Sequence, residues 1–388
     1  MIKETMTSEE RINAAINLEV PDRVPVAPTI GQFAIRHQRV ARTYPSYTET
    51  GDTSNYAGML QAFQDTFNAL GGYDGHYVAG LGFPVSSWRV CGVRVQRVMP
   101  GTEGIPDDFS VQALEQEIMF IEDYDTIINR GWNGFLKEYL PRRFGLSLEQ
   151  IDMNAKALLE VYKQGTKLWN DRGVFIVSGA IALSCEMALS LARTLPQFTL
   201  DLYRRPDKVQ ATLEAMVPDY IENVINDTKA SGIPRVVISM ERGSGSYYNL
   251  KIYERFFFPQ LKRMVEAFSA AGLTSVLHMD TDWTLNLPYL RELPRKMCIC
   301  ELDSTTDIFR AKEILKDHMC IKGDVPPSLL SLGNKEEVIE YCQRLIDIIG
   351  EGGGFILSTG CECPIDAKFD NVKAMIDTAK NYPPPRST

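Results

Sequence analysis

From residue 173 to residue 380, short β-branched runs alternate with longer amphipathic ones, and this alternation limits what the chain can fold into. Gly173–Ser178 (GVFIVS), Arg235–Met240 (RVVISM), Thr274–Asp280 (TSVLHMD), Met297–Asp303 (MCICELD), Met319–Asp324 (MCIKGD) and Gly354–Thr359 (GFILST) read as strands. The run after the first of them, broken near Pro196 and Pro206, reads as helices. Further helices are expected at Lys251–Ala271, Asp307–Lys316, Lys335–Ile349 and Ala367–Lys380, with a short one near Thr284–Leu290. Strands alternating with helices build βαβ units around a parallel sheet. Two more strand candidates lie upstream, Arg23–Pro28 (RVPVAP) and Gly75–Ala79 (GHYVA). Together they reach the count that closes an α/β fold into a (β/α)8 TIM barrel. A doubly wound open sheet is the alternative, weakened because no Gly-rich phosphate loop follows an early strand. Gly82–Gln150 breaks the rhythm and reads as an insertion over the barrel mouth. Residues 1–388 are therefore expected to form a single barrel domain with an insertion at about 82–150.

Composition narrows the function classes. Hydrophobic residues at 44% and charged residues at 23% give a 388-residue chain an ordinary globular balance with ample core material. A formal net charge of −9 argues against a nucleic-acid footprint and against anionic membrane surfaces. No apolar run reaches the roughly 20 residues of a membrane-spanning helix. Met1–Glu10 carries no signal-peptide core, so the cytoplasm is the expected compartment. Most of the 8 cysteines sit in apolar runs as reduced thiols, and imidazole chemistry must come from His37, His76, His278 or His318. Self-association into a homo-oligomer stays open.

A parallel barrel places its chemistry at the C-terminal ends of the strands. The polar residues there are Glu241, His278, Asp280, Asp282, Glu301, Asp303, Asp324, Cys361 and Cys363. Side chains two apart on a strand share a face. Val276, His278 and Asp280 should therefore face the barrel axis, with Leu277 and Met279 turned to the helices. Cys361 follows the last strand at the same rim. Imidazole, carboxylate and thiolate with one open position form a catalytic zinc site, His278, Asp280 and Cys361 being the metal candidates. A hydrogen-bonded rim histidine and an inert buried thiol are the competing readings. Glu241 and Asp324 are candidate catalytic carboxylates, and Asp303 closes another strand. Helix or turn capping is the alternative for each.

Several segments together resemble the uroporphyrinogen decarboxylase superfamily. Thr7–Val26 (TSEERINAAINLEVPDRVPV) is similar to its N-terminal helix and Pro-Asp-Arg-Val-Pro entry into the first strand. Ser178–Val209, Gly323–Val338 (GDVPPSLLSLGNKEEV) and Gly353–Thr378 (GGFILSTGCECPIDAKFDNVKAMIDT) resemble later strand–helix segments of the family. Two departures point to its corrinoid-dependent methyltransferase branch. The porphyrinogen decarboxylases grip substrate carboxylates with an arginine-rich segment, whereas Ala27–His37 (APTIGQFAIRH) holds the single arginine Arg36. Ser358–Pro364 (STGCECP) resembles the Gly-Cys segment of the methanol- and methylamine-pathway methyltransferases. The resemblance implies a zinc ion bound by His278 and Cys361, with Asp280 where those relatives have a first cysteine. Cys363 is the rival to Cys361, and Glu241, water or substrate the rival fourth ligands.

Replacing a thiolate by Asp280 makes the zinc harder and favours oxygen over sulfur. The expected function is therefore zinc-dependent transfer of a methyl group from a methoxylated, aromatic compound to the Co(I) of a corrinoid. No cobalamin-binding segment is found in this sequence, so the corrinoid is expected on a separate partner protein. Phe33, Phe83, Trp88, Tyr247, Tyr248 and Trp283 lie near the expected mouth. Phe33, Trp88, Tyr247 and Trp283 are the substrate-binding candidates, against the plain reading that such rings are core. The alternatives are methyl transfer from a methyl-corrinoid to a thiol, a metal-free decarboxylase, and a corrinoid-protein scaffold without turnover.

Overall fold

The computed structural model describes residues 4–38, 56–79, 96–98 and 112–383. Its strands are β1 (Gly75–Val78), β2 (Gln96–Val98), β3 (Gln112–Leu114), β4 (Phe175–Ser178), β5 (Ala180–Leu183), β6 (Arg235–Ser239), β7 (Thr274–Met279), β8 (Cys298–Leu302), β9 (Cys320–Val325) and β10 (Phe355–Thr359). β5 to β10 form a parallel sheet in chain order, β1 pairs in parallel with β4, and β2 pairs antiparallel with β3. Helices follow the later strands, so the chain is the α/β barrel expected from its alternation.

The run after Ser178 was expected to turn helical, but Ala180–Leu183 continues as strand. β4 and β5 are two halves of one barrel stave that changes partner at Gly179, the first half pairing with β1 and the second with β6. A Cβ at Gly179 would lie 2.3 Å from Ser231 Oγ and 2.6 Å from Ile233 Cβ, so only glycine fits the crossover. A four-residue apolar run such as AIAL carries no period that separates strand from helix.

The first stave is also shorter than expected. Arg23–Pro28 makes one bridge, Val26 to Leu357 of β10. Ala27 N–H donates to Leu357 O and Leu357 N–H to Pro25 O, each at 2.9 Å. On the other side Asp74 and Gly75 N–H donate to Val26 O at 2.9 and 3.2 Å. Pro25 and Pro28 have no N–H to extend a ladder. The barrel therefore closes through a few bonds around Val26.

Helix boundaries lie within a residue or two of expectation, as end fraying allows. Ser8–Ile16 and Lys335–Ile348 begin with reciprocal caps, Thr7 with Glu10 and Asn334 with Glu337. The expected helix over Lys251–Ala271 contains a π-turn at Tyr253–Phe257, where the ladder shifts ahead of Pro259. The short helix expected near Thr284–Leu290 is a 3-10 turn at Leu287–Glu292. Cys298, Cys300, Cys320 and Cys342 are fully buried free thiols in the core. No helix among the described residues is long and apolar enough to cross a membrane.

The Val26 junction is held by a buried charge cluster. Asp74, 2% exposed, accepts from Val26 N–H at 2.9 Å, from Arg11 at 2.7 Å and from Arg23 at 2.7 and 2.9 Å. Arg11 also donates to both oxygens of Asp22, at 2.6 and 2.9 Å. Burial alone would raise the Asp22 carboxyl, but the Arg11 guanidinium and the N–H groups of Thr5 and Met6 hold it at about 2, below its ordinary 3.8. Asp74→Ala leaves two buried guanidinium groups without their shared carboxylate and is expected to cost about 3–5 kcal/mol, read from the urea-unfolding midpoint. The folded carboxyl of Asp22 binds its proton more weakly than the unfolded one. Its stabilisation is therefore complete above about pH 4 and fades as pH falls toward 2. Asp22→Asn should flatten that acid limb in a stability-against-pH series.

Candidate metal centre

The site is built on a lateral row of residues. In the parallel register His278 of β7 stands beside Glu301 of β8, and Glu301 beside Lys322 of β9. Residues in register on neighbouring strands share a face, so all three project to one side of the sheet. Glu301 is 1% exposed and Lys322 0%. Lys322 Nζ lies 2.5 Å from Glu301 Oε1, 2.9 Å from Ser358 Oγ and 3.4 Å from Thr29 Oγ1. Tyr77 OH donates to Glu301 Oε2 at 3.0 Å. His278 Nδ1 lies 3.3 Å from the same oxygen, short of a full hydrogen-bond alignment.

The other imidazole nitrogen faces the rim. His278 Nε2 is 3.4 Å from Asp280 Oδ1 and 3.9 Å from Cys361 Sγ. Donor atoms of these three residues all lie within 4.8 Å of one another. In a tetrahedral zinc shell with bonds of about 2.0–2.3 Å, neighbouring donors stand roughly 3.3–3.8 Å apart. The His278–Asp280 separation falls inside that range and the His278–Cys361 separation just beyond it. Asp280 Oδ1 is buried and has no hydrogen-bond partner, a costly condition that a cation would relieve. Imidazole, carboxylate and thiolate are all zinc donors, so the residues present fit the ion.

The electrostatics follow from crowding. Burial disfavours the His278 imidazolium, but Cys361, Glu301 and Asp280 outweigh it and raise its pKa well above the usual value. Burial raises Asp280; His278 pulls it down while Glu241 and Asp303 push it up, and the net shift is upward. Burial also raises Cys361, against the pull of His278. Glu301 is the opposite case: burial would raise it, but Lys322 and His278 hold it at about 2.

The loops fix the donors. Asp303 Oδ2 accepts from Thr281 N–H at 2.7 Å and its other oxygen from Thr305 N–H at 2.8 Å, which pins the turn after Asp280. Trp283 Nε1–H donates to Asp280 O at 2.8 Å. Thr359 Oγ1–H donates to Cys361 O at 2.6 Å, shaping the loop that presents the thiol.

The other sequence candidates fall in different places. Cys363 is fully buried in the core, its N–H bonded to Thr29 O at 2.8 Å, and it does not join the trio. Glu241 stands close enough for its charge to raise Asp280, with Oε2 buried and without a hydrogen-bond partner, but it lies outside the trio. Asp324 is not brought to the site: its Oδ1 accepts from Tyr341 OH at 2.8 Å, on the helix Lys335–Ile348. Burial pushes its carboxyl up to about 7, against that hydrogen bond. Asp303 and Asp282 serve their own turns, Asp282 Oδ1 accepting from Thr284 N–H. Phe33 and Trp283 are buried core rings, Trp283 meeting Tyr253 edge-on, while Tyr247 is exposed at 44%. Trp88 and Phe83 lie outside the described residues. In the sequence Glu301 is one of several rim carboxylates, and Lys322 and Tyr77 belong to no motif. A lysine inside the apolar run MCIKGD was the available signal, but only the strand register names its partner.

Comparison with known proteins gives a consistent family. The profile described as Uroporphyrinogen decarboxylase (URO-D) matches residues 138–382. A methylcobamide:CoM methyltransferase, MtbA, from Methanosarcina acetivorans is 26% identical over 132 residues, 34% of this chain and 37% of that protein. A uroporphyrinogen decarboxylase from Anaeromyxobacter dehalogenans is 24% identical over 181 residues, 47% of this chain and 50% of the relative. The chain thus spans half or less of the length of these curated relatives. A solved methyltransferase from Methanosarcina mazei shares the fold, with a TM-score of 0.67 over 97% of this chain and 99% of its own, at 15% identity.

Freshly purified protein is expected to hold about one zinc per chain. His278→Ala and Cys361→Ala should each deplete it without unfolding the barrel, whereas Cys363→Ser should retain it. Elemental analysis beside circular dichroism checks all three. A Cys363→Ser protein without zinc beside a zinc-loaded Cys361→Ser protein would reverse the assignment.

Proposed function

The chain belongs to the uroporphyrinogen decarboxylase family, and on that premise we propose that it is a zinc-dependent methyltransferase of the corrinoid-dependent branch, moving a methyl group from a methoxylated, aromatic compound to the cobalt of a separate corrinoid protein. The observation that carries this reading is the donor trio itself. His278, Asp280 and Cys361 offer one nitrogen, one oxygen and one sulfur within 4.8 Å. The similarity to MtbA supports the methyltransferase branch, beside a comparable similarity to uroporphyrinogen decarboxylases. So does the sequence Ala27–His37, whose single arginine, Arg36, is little positive charge for a polycarboxylate.

Zinc bound by this trio would supply Lewis acidity to the oxygen from which the methyl group departs. The chain's own residues do the rest. His278 and Asp280 hold their donors on one strand end, and the Asp303 and Trp283 bonds keep the Asp280 backbone in place. The carboxylate of Asp280 makes the donor set harder than a pair of thiolates and so suits an oxygen-bound substrate. We assign Glu241 a catalytic part as a rim carboxylate whose charge reaches Asp280. Asp324, engaged by Tyr341, is given none. Tyr247 is the exposed ring at this rim suited to a methoxylated aromatic. We read residues 1–388 as one barrel domain, with 82–150 as an insertion.

A second reading runs the methyl group from a methyl-corrinoid to a thiol, and the name of the MtbA relative favours it. Turnover of free Co(I) cobalamin with a panel of methoxylated aromatics, against methylcobalamin with thiols, separates the two. Asp280→Cys should shift relative turnover from methoxy substrate toward thiol by about tenfold or more, equal to roughly 1.4 kcal/mol in relative barrier. An unchanged ratio would remove Asp280 from the metal's donors. Glu241→Gln should keep its zinc and turn over more slowly.

A further inference from the structure

Among the described residues, the deepest charged pair of the barrel sits directly behind the donor trio. Glu301 and Lys322 are 1% and 0% exposed, and their charged atoms are 2.5 Å apart. An ion pair sealed from water gains little over an apolar pair of the same volume, because desolvating both charges offsets their attraction. Its position is more informative. The Glu301 carboxylate divides its oxygens: Oε1 takes Lys322, and Oε2 faces Tyr77 OH at 3.0 Å and His278 Nδ1 at 3.3 Å. Nδ1 is buried and has no aligned acceptor of its own.

We infer that Glu301 and Lys322 are positioning residues for the metal site, holding a proton on His278 Nδ1 so that Nε2 presents its lone pair to the ion. This rests on the zinc reading of the trio. The logic is directional. A histidine that ligates through Nε2 must keep its hydrogen on Nδ1, and a carboxylate facing Nδ1 favours that tautomer while raising ligand basicity. An anionic carboxylate in a dry barrel needs a counter-charge, and Lys322 supplies it on the side away from the imidazole. Ser358, Thr29 and the Tyr77 ring, 5.1 Å away, surround that ammonium and fix it. Tyr77 OH steadies the second oxygen. The arrangement spans strands β7, β8 and β9 in register, so it is set by the barrel and not by a loop.

Glu301→Gln removes the charge at constant shape and can offer Nδ1 a donor instead of an acceptor. Lys322→Met leaves the carboxylate without its cation. Glu301→Gln/Lys322→Met removes both charges together and leaves no orphaned ion in the core, which guards against a folding failure in either single variant. The measurements are the zinc dissociation constant, by competition with a chromogenic chelator, and the visible spectrum of the Co(II)-substituted protein. All three variants should bind zinc about 10–100-fold more weakly than wild type, with shifted Co(II) bands and retained far-ultraviolet dichroism. The double variant should be no weaker than Glu301→Gln, because both substitutions act through one nitrogen. Wild-type affinity and an unshifted Co(II) spectrum in the folded double variant overturn the inference. A wild-type protein that takes up no zinc overturns the metal reading beneath it, a result separable from the first because it needs no variant.

Discussion

An ammonium with no exposure to water has to find its partners inside the protein, and in this barrel the partners of Lys322 organise the interior. Thr29 after the first stave, Tyr77 of β1, His278 of β7, Glu301 of β8 and Ser358 of β10 meet Lys322 of β9 in one connected set. Ser358 passes the connection on to Ala27 O at 2.9 Å. Six of the staves are thus joined through the Lys322–Glu301 pair. A barrel filled with Leu and Ile could be as stable, since buried ion pairs offset their own attraction with desolvation. What the polar interior adds is placement: the hydrogen bonds of Lys322 and Tyr77 fix Glu301, Ser358 fixes Lys322, and His278 stands at the outer end of the set.

Above that layer the rim is built from short loops that satisfy themselves. Asp303 could have been a reacting carboxylate, but both of its oxygens are occupied by turn N–H groups. Trp283 uses its indole to hold the carbonyl of Asp280 and buries its ring against Tyr253. The two cysteines after β10 illustrate the same economy. Cys363 N–H ties the loop back to Thr29 and its thiol fills the core, while Cys361 is left at the surface of the site.

Much of this was legible in the sequence where a period or a count could be read. Strand–helix alternation carried the barrel, and parity along TSVLHMD put His278 and Asp280 on one face. What could not be read depended on register or on a conformation with no local signature. Ala180–Leu183 has no period to distinguish it from a helix, and its crossover hinges on Gly179 meeting a neighbouring helix end. The Glu301–Lys322 pair consists of two charges in separate apolar runs whose contact exists only in the assembled sheet. Asp324 closes its strand as expected, yet Tyr341 draws its carboxylate outward. Which of two aromatics is buried and which is exposed, Trp283 or Tyr247, likewise follows from tertiary packing that composition does not encode.

The closure at Val26 has a temporal side. Arg11, Arg23 and Asp74 come from the first part of the chain, and their cluster can assemble as soon as that part exists. The strand that completes the circle, Phe355–Thr359, is near the other end, 331 residues away from Ala27 in the case of Ser358. A chain emerging from the ribosome at about 5–20 residues per second therefore carries its first stave half-paired until Phe355–Thr359 has been made. During that interval Val26 has a partner in the Asp74 turn and an open edge on its other side. The short proline-flanked stave, which makes one bridge instead of a ladder, offers a nascent neighbour little backbone to pair with.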